Sequence, residues 1–139
     1  MIKELVTDQD FLSVACEPGT AEDTEVVQDL LDTYESLQGD CACIAANQIG
    51  YQKAIILVEI NEKPVIMYNP KLKQAMKPYH ATEGCLCLEG ESNVTRFQVI
   101  KVTYQELVDG ALVAREKRLT DWEAEAVQHS IDHCKGRVI

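Results

Sequence analysis

At 139 residues, with 46% apolar and 26% charged positions, the chain has the size and make-up of one globular domain, residues 1–139, able to bury a sizeable core. A net charge of −10 argues against nucleic acid or an anionic membrane surface as its partner. The opening Met1-Ile2-Lys3-Glu4-Leu5 has no apolar h-region, and no apolar run reaches the length of a membrane-spanning helix, so a cytoplasmic protein is expected.

Pro18-Gly19 marks a turn. Thr20-Ala21-Glu22-Asp23 then reads as a helix start, with acidic residues where they suit the dipole. Val26, Val27, Leu30, Leu31, Tyr34 and Leu37 follow at helical spacing, and Gly39 is placed to close this helix. The continuous β-branched run 54–58 predicts a buried strand, and 65–68 a second one stopped by Asn69-Pro70. A short strand is expected before Glu83. Over 99–107, Val99, Lys101 and Thr103 alternate with Ile100, Val102 and Tyr104, which predicts a half-exposed strand. Asp109-Gly110 predicts a tight hairpin to a partner strand over about 111–119. Thr120-Asp121-Trp122-Glu123 has the form of a capping box, and Gly136 follows as a C′ residue, so a last helix is expected over about 121–135. Consecutive strands with short turns between two helices predict an α+β fold with antiparallel sheets.

His129 and His133 lie four apart on that last helix, hence on one face, where one divalent metal could take both imidazoles. Alone, this spacing arises often by chance, and two helix histidines with ordinary hydrogen bonds are the simpler reading. Glu83-Gly84-Cys85-Leu86-Cys87 shifts the balance by offering a thiolate. Two imidazoles and one thiolate leave a fourth position open, the layout of a catalytic site. Six cysteines without a secretory leader read as thiols or metal ligands before disulfides. Buried thiols are the simpler reading for Cys16 and Cys134.

Three ordered segments resemble the signature motifs of the peptide deformylases, metalloenzymes that remove the formyl group from N-terminal formylmethionine. Cys41-Ala42-Cys43-Ile44-Ala45-Ala46-Asn47-Gln48 is similar to Gly-x-Gly-x-Ala-Ala-x-Gln. Glu83-Gly84-Cys85-Leu86-Cys87 is similar to Glu-Gly-Cys-Leu-Ser. Gln128-His129-Ser130-Ile131-Asp132-His133 is similar to Gln-His-Glu-x-Asp-His. The resemblance implies a deformylase-like fold packed around the C-terminal helix. It implies Cys85, His129 and His133 as ligands of one divalent ion, iron(II) or zinc, with nickel or cobalt also suited. It implies an oxyanion held by the Gln48 side chain and the Leu86 N–H, such donors often being the largest contribution to catalysis. Ile44 and Leu86 match positions lining the methionine pocket, and Cys43 stands beside them. Formylated or acylated peptide N-termini are the implied partners; the oligomeric state is not legible.

The departures bear on activity. The family glutamate that moves protons between the attacking water and the leaving amine is here Ser130. Serine is no base near neutral pH, and losing a positioned one costs about 10²–10⁴ in rate. Cys41 and Cys43 replace two glycines, and Cys87 replaces a serine. Ser92 stands where many members carry a substrate-gripping arginine. Cys43 or Cys87 turned inward would make a closed, structural site. Asp132 could pair with Arg96 or orient a ligand from behind, and Glu83 is a weak candidate for a substitute base. The expectation is thus a metal-binding protein with strongly reduced or no deformylase activity. The alternatives are a working amide hydrolase with a replacement base and a non-catalytic binding or metal-sensing protein.

Overall fold

The computed structural model describes residues 1–37, 42–85 and 88–137, and of 85 and 88–90 the backbone alone. Along the described residues run α1 (Gln9–Leu12), β1 (Glu17–Pro18), α2 (Thr24–Ser36), β2 (Cys43–Ala45), a 3₁₀ turn (Ala46–Ile49), β3 (Lys53–Ile60), β4 (Lys63–Cys85), β5 (Leu88–Val108), β6 (Ala111–Thr120) and α3 (Asp121–Cys134). The sheet order is β1-β3-β4-β5-β6, with β2 also paired to β3. All pairs are antiparallel except β1 with β3. This is the α+β, largely antiparallel arrangement expected. No helix among the described residues is long and apolar enough to cross a membrane.

β3 explains the two-layered core. Successive side chains on a strand point to opposite faces. Ile56, Val58 and Ile60 pack with Met67, Val127 and Ile131 on the α3 side. Ile55 and Leu57 pack with Val26, Leu30 and Tyr34 on the α2 side. A run apolar at every position is therefore what a strand covered on both faces requires.

The residues 65–68 and the stretch before Glu83, expected as two strands, form the single strand β4. Asn69-Pro70 does not stop it, because three steps on β4 (Tyr68 to Lys71) oppose two on β5 (Gln105 to Thr103). Proline is tolerated in such a bulge, where no ladder N–H is demanded of it. Asn69 takes φ +52° there. Its amide clasps Gly19, accepting from Gly19 N at 2.8 Å and donating to Gly19 O at 3.1 Å. Gly19 has room for nothing larger, since an added Cβ would stand 2.6 Å from Ile55 Cγ1.

The start of α2 and the cap of α3 also differ, while α3 begins at Asp121 as expected. Thr20–Asp23 is a turn in which Asp23 Oδ2 accepts from Thr20 N at 2.8 Å, and α2 begins only at Thr24. Gly39 lies outside the described residues. At α3, Thr120 is the N-cap residue but makes no side-chain cap bond. Asp121 at φ +56° turns the chain sharply, and the Glu123 carboxylate accepts from Asn61 N at 3.0 Å instead. The Asp109-Gly110 hairpin joins Val108 to Ala111 with both residues at positive φ, as a type I′ turn needs. Asn61-Glu62 makes a second such turn between β3 and β4.

Candidate metal centre

The apolar residues of α3 face the sheet: Ala124, Val127 and Ile131 are buried in the core beneath it. That seating turns both histidines inward, His133 to full burial and His129 to 9% exposure. Their Nε2 atoms stand 3.1 Å apart. Asn47, in the 3₁₀ turn, donates its amide to His133 O at 2.8 Å and ties the end of the helix to that turn.

Behind His129 lies a buried ion network. Glu83 Oε1 is 2.9 Å from His129 Nδ1. Arg96 donates to Glu83 through Nε at 3.1 and 3.0 Å and through Nη2 at 2.7 Å, and to Asp132 Oδ2 through Nη1 at 2.6 Å. Burial is the largest single influence on Glu83 and opposes its ionisation. The hydrogen bonds from His129 and Arg96 together outweigh it and hold the carboxyl well below the usual range. An ionised carboxylate only accepts, so His129 donates from Nδ1 to Glu83, and its Nε2 faces His133.

Beside His129 opens a cavity of about 550 Å³. One wall is a stripe of α3: Trp122, Glu125, Ala126 and His129, spaced 3, 1 and 3. Ala42, Cys43 and Gln48 from the β2 segment and Thr82, Glu83 and Gly84 from β4 complete the lining. Gln48 Oε1 accepts from Ala45 N at 2.8 Å, which fixes the orientation of its amide. Glu125 Oε1 accepts from Tyr79 Oη at 3.4 Å, and Glu125 lines the cavity with Glu83. The contact with Glu83, followed by burial, raises the Glu125 pKa above the ordinary glutamate value.

Residues 2–139 match the polypeptide deformylase family model. The chain belongs to that family. It is 34% identical over 139 residues to a peptide deformylase of Clostridium beijerinckii, covering 100% of both chains. It is 32% identical over 112 residues to one of Heliobacterium modesticaldum, covering 80% of this chain and 71% of that protein. Among solved structures it is similar to a peptide deformylase of Ehrlichia chaffeensis in complex with actinonin, at TM-score 0.83 and 28% identity, over 99% of this chain and 86% of that one. The fold also matches a peptide deformylase of Thermotoga maritima at TM-score 0.84 and 24% identity, over 98% of this chain and 93% of that one.

In this deformylase-family chain the donor set fits a divalent ion. Two imidazole nitrogens about 2.0–2.1 Å from a tetrahedral ion stand roughly 3.4 Å apart, close to the observed approach. Among the described residues no three His, Cys, Asp or Glu side chains converge on one point. The expected third ligand, Cys85, ends β4 paired with Leu88, and its backbone alone is described. Leu86, Cys41 and Cys87 lie outside the described residues.

Ser130 is 1% exposed, and its Oγ has no hydrogen-bond partner among the described residues. Asp132 takes the Arg96 partnership rather than a bond to either histidine. Glu83, weighed as a base, is engaged by Arg96 and His129. Ser92 sits on β5 opposite Glu83. Ile44, expected in the substrate pocket, is fully buried on the α2 side with Leu30 and Leu57. The strand alternation of β2 gives the reason: Cys43 and Ala45 face α3, so Ile44 must face away. Glu125 and Trp122 were missed from the sequence, although positions four and seven before His129 on a helix share its face.

Proposed function

We propose that this chain holds one divalent ion, iron(II) or zinc, through Cys85, His129 and His133, and acts on formylated peptide N-termini with strongly reduced deformylase activity. The observation that carries this reading is Ser130, an inward hydroxyl where proton transfer needs a carboxylate. When bound, such an ion supplies Lewis acidity toward the formyl carbonyl. The protein's own groups do the rest. Glu83 fixes the ring of His129, Gln48 lines the cavity wall, and the cavity admits the peptide beside them. The complex of the Ehrlichia relative with actinonin supports a peptide-like occupant.

Glu83 is held out of the missing role by its engagement with Arg96 and His129, because withdrawing it would leave the buried guanidinium with Asp132 as its one carboxylate among the described residues. The expected deficit is a factor of about 10²–10⁴ in turnover, or roughly 3–5 kcal/mol of barrier. Metal-loaded protein assayed on formyl-Met-Ala-Ser tests this. Turnover at the rate of an ordinary deformylase refutes it.

A further inference from the structure

We propose that the cavity beside His129 selects a cationic side chain, lysine or arginine, at the first residue of the peptide, with Glu125 as the specificity-determining residue and Trp122 as its apolar wall. The inference rests on the peptide-binding reading above and adds the class of peptide.

Position on α3 comes first. Glu125 precedes His129 by four residues, roughly 6 Å along the helix axis, and Trp122 precedes it by seven, roughly 10 Å. A peptide whose first carbonyl group is held at the histidines sends its first side chain along this stripe. The four-carbon stem of lysine is suited to span the first of these steps, laying its methylenes on Ala126 and Trp122 and its ammonium at Glu125.

Charge comes second. The cavity wall carries Glu83 and Glu125 and no lysine or arginine among the described residues. Two carboxyl groups lining one cavity favour a cation beside them. Arg96 is committed to Glu83 and Asp132. Lys77 shares a neighbouring depression with Trp122 and Glu125 but makes no ion pair among the described residues. An apolar side chain of methionine length would strip water from Glu125 and return no hydrogen bond. A lysine or arginine returns a charge-assisted one, and the indole face favours the same charge. The volume of about 550 Å³ is ample for either side chain.

The chain's sole tryptophan is half exposed on this wall, so ligand binding can be read by its fluorescence. The test titrates metal-loaded protein with Lys-Ala-Ser, Met-Ala-Ser and norleucine-Ala-Ser, which share one terminal amine and differ in one side chain. The lysine peptide is expected to bind about tenfold tighter than the other two, the worth of one charge-assisted hydrogen bond. Glu125→Gln is expected to erase that difference. Equal or tighter binding of the methionine peptide overturns the inference while leaving the peptide-site reading standing. So does a lysine preference that survives Glu125→Gln. If none of the three peptides binds up to millimolar concentration, the peptide-site reading falls and the inference with it. The ranking on the unaltered protein decides the matter even where the variant does not fold.

Discussion

Glu83 Oε1 stands 2.9 Å from His129 Nδ1, and the same carboxylate is gripped by Arg96. One side chain thus orients the imidazole of His129 and neutralises a buried guanidinium at once. Removing its charge as Glu83→Gln is expected to cost about 3–5 kcal/mol, because Arg96 keeps Asp132 as its one charged partner among the described residues. Metal affinity should fall about 10–100-fold as the His129 ring loses its anchor. Urea unfolding and competition with a chelating dye measure the two effects.

The same carboxylate sets an acid limit. Its folded pKa lies below the ordinary glutamate value of about 4.3. Its contribution to stability is whole above that ordinary value and disappears as pH falls toward the folded one. The urea midpoint is expected to drop between about pH 5 and pH 2, and to drop less in Glu83→Gln. A parallel decline in both proteins would show that another group dominates.

Ser130→Glu should raise hydrolysis of formyl-Met-Ala-Ser by about two to four orders of magnitude in kcat, with KM little changed. Steady-state kinetics on protein of equal metal content checks it. No increase would assign the deficit to Cys43 or to the missing arginine at Ser92.

Cobalt-substituted protein distinguishes an open site from a closed one. Three protein ligands are expected, so the visible absorption should be the same in Cys43→Ser. Loss of a thiolate-to-cobalt band in that variant would place Cys43 among the ligands. Cys43 shares the cavity wall with Gln48, across from His129, which makes the comparison worth running.

Ile44→Ala should behave as a core truncation, losing about 2–5 kcal/mol in urea unfolding, with peptide affinity unchanged by tryptophan fluorescence. A selective loss of peptide binding at full stability would return Ile44 to the pocket.

How far the sequence could be read follows from which features are local. His129 and His133 are four apart on one helix, and that spacing alone places them on one face. The apolar run in β3 and the Asp109-Gly110 turn are equally local. The unity of β4 was hidden because Asn69-Pro70 looks like a strand stop unless the register of β5 is known. The start of α3 at Asp121 was legible from the Thr120-x-x-Glu123 pattern, but not that Asp121 would turn the chain at positive φ and leave the Thr120 side chain out of the cap. The engagement of Glu83 by Arg96 depends on two strands and a helix meeting. From sequence, Glu83 was simply the carboxylate nearest Cys85. Glu125 was within reach of a helical count, but the cavity it lines exists only once Cys43 and Gln48 are brought opposite α3.

Arg96 on β5 joins Glu83 on β4 to Asp132 on α3, and Asn47 joins the 3₁₀ turn to the end of α3. These links span the surroundings of the two imidazoles without needing any ion to bridge them. Apoprotein stripped by chelation should therefore keep its secondary structure by circular dichroism and reload on adding back the metal. Collapse on stripping would mean that the cation, and not the arginine clamp, holds this corner of the molecule together.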